Sequence, residues 1–135
     1  MEQNLASLNW IAVFLSALST FVLGGLWYSP LLFAKMWQRE ANLSDEQLQA
    51  GNQAVIFAWA FLLALISAFV LALFIGDHGL PFGLTAGVAV GLGWVATSLG
   101  ITFLFERRSA RLTLIDAGYH VVAFTLMGTI ISAFN

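Results

Sequence analysis

Asp116 and His120 are the residues of this chain best suited to chemistry. They lie one helical turn apart, so a helix would put them on one face, with Tyr119 beside them. A carboxylate and an imidazole at this spacing have two uses. As an ionisable unit they make a proton or ion site, Asp116 fixing the His120 tautomer or pairing with its cation. As an anchor, Asp116 binds Arg108, Arg111 or Tyr28 and pins its helix to a neighbour. Other chemistries lack the residues. There is no cysteine, which excludes disulfides, thiolate metal sites and Cys nucleophiles. One His and one Asp without a third strong ligand do not hold a metal. No nucleophile–base pair or phosphate loop is visible, so neither an enzyme nor a cofactor is expected. Asp77 and His78 read as a solvated turn.

The surroundings are what make the pair unusual. Of 135 residues, 60% are hydrophobic and 9% charged, against about 25% charged in soluble domains. A small soluble globule could not hide that much apolar surface. The length suits one domain over residues 1–135, and a net charge of −2 carries no nucleic-acid signature. Runs without charge cover 3–34, 47–76 and 78–105, and a fourth apolar stretch, 112–134, is broken only by Asp116 and His120. Each is long enough to cross a bilayer as a helix, which takes about 20 residues. The reading is an all-α integral membrane four-helix bundle, with helices at about 8–33, 54–75, 81–105 and 112–134. A β-barrel would need alternating segments, and these do not alternate. No Lys or Arg precedes Lys35, so the first segment reads as a retained helix rather than a cleaved signal.

All five basic residues fall in two loops: Lys35 and Arg39 in the first, Arg107, Arg108 and Arg111 in the third. The positive-inside rule then puts loops one and three in the cytoplasm and both termini outside. Loop one contains Leu43-Ser44-Asp45-Glu46-Gln47-Leu48, a capping box with Leu at both staple positions, which predicts a short cytoplasmic helix with a break at Gly51 before the second span. In the first helix, Pro30 cannot donate to the carbonyl of Leu26, which predicts a kink or an early termination.

Small residues recur every fourth position: Ala12, Ser16, Thr20 and Gly24 in helix one, Ala60, Ala64, Ala68, Ala72 and Gly76 in helix two, Gly83, Gly87 and Gly91 in helix three. Such stripes let membrane helices approach closely. Packing of helix two on helix three is the main use expected of them, and a homo-oligomer interface or a backbone-lined path the other. For a fourth helix starting near Leu112, Asp116 lies about 6 Å inside and His120 about 12 Å. Tyr28 and Ser29, or Thr97, Ser98 and Thr102, reach the same depth, and Glu106, Arg107, Arg108 and Arg111 crowd the cytoplasmic mouth.

Three motifs carry a resemblance. Asn9-Trp10 opens the first helix; Gly25-x-Trp27-Tyr28-Ser29-Pro30-x-Leu32-Phe33-x-Lys35-x-Trp37 closes it; Phe105-Glu106-x-Arg108 is followed by Ile115-Asp116-x-Gly118-Tyr119-His120. Together they resemble the small membrane proteins catalogued as domain of unknown function seventeen sixty-one, over nearly the whole chain, with Ala34 where a glycine is expected. The resemblance implies a four-helix membrane protein and brings no activity with it. Two functions are open: a small oligomeric channel or transporter-like protein with Asp116, His120, Tyr119, Tyr28 and Ser29 near its path, or a non-catalytic membrane module that binds lipid or a partner protein. The lipid bilayer is the one partner expected outright, in a multi-pass protein of a bacterial inner membrane.

Overall fold

Side-chain caps set most of the helix starts in the computed structural model of the chain, which describes residues 8–134. Asn9 Oδ1 accepts from the backbone N–H groups of Ile11 and Ala12 and opens α1, Trp10–Trp27. The sequence places the first helix at about 8–33 with a kink or early termination at Pro30; it is the termination that occurs, at Trp27. The residue before a proline is held out of the helical region, and Pro30 has no N–H for the Leu26 carbonyl. The Ser29 hydroxyl donates to that carbonyl at 2.6 Å in its place. The chain turns and restarts as α2, Ala34–Glu40. Asn42, with φ +57°, reverses it again.

The short helix foreseen from the capping box follows as α3, Asp45–Gln49, with the Ser44 hydroxyl accepting from the Gln47 N–H and the Gln47 side chain accepting from the Ser44 N–H. Gly51, at φ +79°, breaks the chain, and Asn52 caps α4, Gln53–Ile75. α5 runs Leu80–Phe105 and α6 runs Ala110–Ala133, the latter capped by Ser109. α1, α4, α5 and α6 are long and apolar enough to cross a membrane. Among the described residues there is no strand.

α6 is the central helix: it packs on α1, α4 and α5, whereas α4 and α5 barely touch. The expected pairing of helix two with helix three is therefore overturned. The glycine stripe of α5 faces α6. A Cβ at Gly83 would strike Ser132 and the carbonyl of Gly128, one at Gly87 the Phe124 carbonyl and Thr125 Cα, and one at Gly91 would come within 2.9 Å of Val121 Cα. At all three positions a Cβ would meet backbone atoms of α6, at Gly83 together with the Ser132 side chain, an approach that only glycine permits. α6 contributes its own small residue, Gly128, at the tightest point. The alanine stripe of α4 faces the other side. Ala68 and Ala72 join Val13, Ala17, Leu71, Ile75, Met127 and Ile131 in an apolar core between α1, α4 and α6, and Ala64 packs against it. That core fills the end of the molecule away from the basic loops. Large apolar side chains such as Val22, Leu63, Phe74 and Leu104 point outward from the helices.

α5 is not uniform. Gly91–Ala96 forms a π-helical turn, where one residue too many is wound into the helix. The carbonyls this misaligns are satisfied locally: the Thr97 hydroxyl donates to Gly93 O at 2.8 Å and to Trp94 O at 3.1 Å. Gly24-Gly25-Leu26-Trp27 and Gly91-Leu92-Gly93-Trp94 look alike in sequence, yet the first ends an α-helix and the second makes the π turn.

Candidate functional site

The turn after α1 brings Trp27 and Tyr28 against the first half of α6. The Tyr28 hydroxyl donates to Asp116 Oδ1 at 2.8 Å. The Trp27 indole N–H donates to the Ile115 carbonyl at 3.0 Å. That carbonyl has two lone pairs, so it can take the indole and keep its helical bond. The ring of Trp27 lies over Gly118, where a Cβ would sit 3.2 Å from Cζ2. Gly118 thus clears the floor for the indole. One turn deeper, the Tyr119 hydroxyl donates to the Thr20 carbonyl at 2.8 Å. These three side-chain bonds join α1 and the turn after it to α6 toward the basic end, and a fourth, from the Ser16 hydroxyl to the Met127 carbonyl at 3.4 Å, joins the same two helices farther from it.

Asp116 thereby has a partner, and it is not the one an ionisable pair requires. Among the described residues no hydrogen bond or ion pair joins Asp116 to His120. Nor does Asp116 meet an arginine. Arg108 pairs with Glu106 at 3.1 Å, both half-exposed, and its guanidinium lies 5.7 Å from the Phe103 ring centroid. Arg107 donates to the Leu104 carbonyl, and Arg111 is exposed. Ser29 is also outside the site, its hydroxyl turned back to Leu26. Gly24 lies beside Tyr119 at ordinary contact distance. With α6 starting at Ala110 rather than Leu112, Asp116 lies about 9 Å and His120 about 15 Å along the helix.

Aromatic rings extend the arrangement in both directions. Trp37 of α2 meets Tyr28 edge-on with centroids 5.5 Å apart, Tyr28 lies 5.6 Å from Tyr119, and Tyr119 lies 5.2 Å from His120. On the side of this file toward α4 is open space. A cleft of about 720 Å³ is lined by Thr20, Phe21, Gly24, Gly25, Tyr28, Trp37, Phe57 and Tyr119. A second, of about 280 Å³, continues from it past Thr20, Phe21 and Tyr119 to Ala64, Ser67, His120 and Phe124. The two clefts adjoin at Thr20, Phe21 and Tyr119, which line both, and together they form the groove between α1 and α4, beside α6; Phe21 also packs on Phe57 and Phe61 of α4 across it. The imidazole of His120 reaches the deep end, and its other side borders a shallow groove with Trp94, Ser98 and Thr102 of α5.

Sequence reasoning did not single out Trp27, Gly118, Trp37 or Ser67 as site residues. The signal for the first two was in the motifs: a Trp-Tyr pair before a proline, and a glycine two places after the aspartate. Trp37 likewise stands at the end of the motif that closes the first helix, whereas for Ser67 there was no signal, since only the gap between α1 and α4 brings it in.

Residues 11–132 match the model of the family described as "Protein of unknown function (DUF1761)". No curated protein and no solved structure matches the chain. The two halves of the motif set behind the resemblance, one closing α1 and one in α6, are the two surfaces that the Trp27 and Tyr28 bonds hold together.

Proposed function

The chain belongs to the DUF1761 family of proteins of unknown function, and from that footing we propose that it is a non-catalytic membrane module that holds a lipidic ligand in the groove between α1 and α4. The observation behind this reading is the groove itself. Neighbouring helices of a bundle normally close on each other through side chains. Here Gly24 and Gly25 line the mouth of the larger cleft, and a Cβ at Gly25 would meet nothing within 4 Å. The lining is apolar and aromatic with a few polar groups, the usual make-up of a site for an apolar molecule. The long apolar helices give such a ligand a lateral route from the bilayer.

The transport reading is weakened by the same geometry. A proton or ion path through Asp116 and His120 needs the two to act together, and the Asp116 carboxylate is engaged by Tyr28 instead. In the module reading Asp116 is an anchor, and no residue performs chemistry. The basic residues set the orientation: α2 touches α6, so Lys35 and Arg39 share one end with Arg107, Arg108 and Arg111. That end faces the cytoplasm and both termini face out. Cysteines at Ser44→Cys and Ser109→Cys should react with an impermeant maleimide only from the cytoplasmic side, and Gly79→Cys only from outside. The opposite pattern would invert the topology.

Gly25→Leu tests the groove. The new side chain has room, so folding and thermal stability should be unchanged, but it fills the mouth. A phospholipid with a diazirine on its acyl chain, in nanodiscs of the same composition, should label peptides from 20–28 and 57–67 in the parent protein. In Gly25→Leu that labelling should fall severalfold, while labelling of the outward face of α5 stays the same. Unchanged labelling at 20–28 and 57–67 would sink the proposal.

A further inference from the structure

The deep end of the groove has a polarity that an acyl chain does not need. Ser67 comes from α4 and His120 from α6, and both line the same cleft of about 280 Å³. Neither side chain makes a hydrogen bond among the described residues. Their neighbours are otherwise satisfied: Tyr119 donates to Thr20 O, and Thr20 donates to Ala17 O. Ser67 and His120 lie about 20 Å and about 15 Å along their helices from the basic end, at 1.5 Å per residue. At that depth an unmade hydrogen bond is costly, and hydrocarbon offers no partner.

What fits must supply hydrogen-bonding atoms without a charge. No Lys or Arg lines the cleft, so a phosphate or carboxylate there would be a desolvated, unpaired ion. Phe21, Tyr119 and Phe124 wall the space, which suits a flat ring. The size agrees: a cavity of roughly 150 Å³ holds a benzene ring, and about 280 Å³ leaves room for substituents. The larger cleft leads away from this end between apolar walls and takes a tail. Building on the groove reading above, we propose that the ligand is a neutral ring-headed lipid of the quinone class. Its ring sits at the deep end, with carbonyl oxygens accepting from the Ser67 hydroxyl and the His120 imidazole N–H.

Two probes separate hydrogen bonding from ring fit: decylubiquinone, and 1-phenyldecane, which has a ring and the same tail but no oxygen. Binding is measured on the full chain in nanodiscs. Decylubiquinone should bind saturably and at least about tenfold more tightly than 1-phenyldecane. Ser67→Ala and His120→Phe should each weaken decylubiquinone about tenfold, the effect of one lost buried hydrogen bond, and leave 1-phenyldecane unchanged. Equal affinities for the two probes, no saturable decylubiquinone binding, or indifference to both substitutions overturns the proposal, the deep end then holding water or an acyl chain. The Gly25→Leu photolabelling result tells the two failures apart. If that substitution still excludes the acyl probe, the groove binds lipid and only the quinone assignment falls. If it does not, the groove reading falls as well.

Discussion

Gly87→Leu should abolish folding or lower stability in detergent by several kcal/mol. A Cβ at this position runs into the Phe124 carbonyl and comes within 2.8 Å of Thr125 Cα, and both are backbone atoms of the central helix. Overpacking a well-filled core costs about 1–3 kcal/mol when side chains can shift. Here a whole helix has to move, so the upper end or beyond is expected. The displacement would also open the contacts at Gly83 and Gly91, because the three glycines form one ridgeless face. Gly100→Leu is the matched control. It makes the same change in the same helix where a Cβ meets nothing within 4 Å, and it should be mild. Leu92→Ile, at a position 56% exposed, should be milder still. Thermal unfolding followed by a fluorescent size-exclusion assay reads all three. Equal tolerance of leucine at positions 87 and 100 would mean that α5 does not lie against α6 as described.

Tyr28→Phe should cost more stability than Asp116→Asn. The first leaves a carboxylate in apolar surroundings without its donor, and truncating one partner of a buried polar pair costs about 1–3 kcal/mol, more when the survivor is charged. The second removes the charge and keeps an acceptor for the Tyr28 hydroxyl, so about 1 kcal/mol is expected. The double variant Tyr28→Phe with Asp116→Leu removes both polar groups and should recover much of the loss. A coupling of about 1–3 kcal/mol would then appear in the cycle, as between groups in direct contact. His120→Phe should be close to neutral for stability, since His120 holds no hydrogen bond among the described residues. A strongly destabilised Tyr28→Phe beside a neutral His120→Phe fits the anchor. Additive effects at positions 28 and 116 would mean that the hydrogen bond contributes nothing. A destabilised His120→Phe, coupled to Asp116, would restore the ionisable pair.

These two tests probe different kinds of legibility. The four long apolar helices could be read directly, because crossing or burying a charge-free run of more than 20 residues leaves a chain few alternatives to helix. The Ser44–Gln47 capping box was equally plain, since its bonds connect residues three apart. Pro30 was legible as a kink or an early termination, and the local sequence did not choose between them. A proline inside a helix and a proline after one remove the same hydrogen bond, and which occurs depends on whether the chain beyond has something to pack on. Here Trp27, Tyr28 and Trp37 pack on or beside α6, and the turn is held by those contacts. The glycines of α5 and the alanines of α4 announced close approach without naming the approached.

The sequence by itself determined the four long helices and the short one begun by the capping box, which end carries the cations, and that Asp116 and His120 share a helix face in an apolar setting. Each of these rests on interactions within a turn or two of chain, or on composition. Only the tertiary structure decided that α6 is the helix every other long helix packs against, and that Asp116 answers to Tyr28 instead of to His120 or an arginine. It also decided that His120 borders a groove. Those outcomes turn on which of several equally small-residued faces meet, a choice settled by differences in backbone fit that no single helix's sequence contains. The Tyr28–Asp116 bond joins residues 88 positions apart, and its geometry exists only after the turn at Pro30 and the packing of α1 on α6 are both in place.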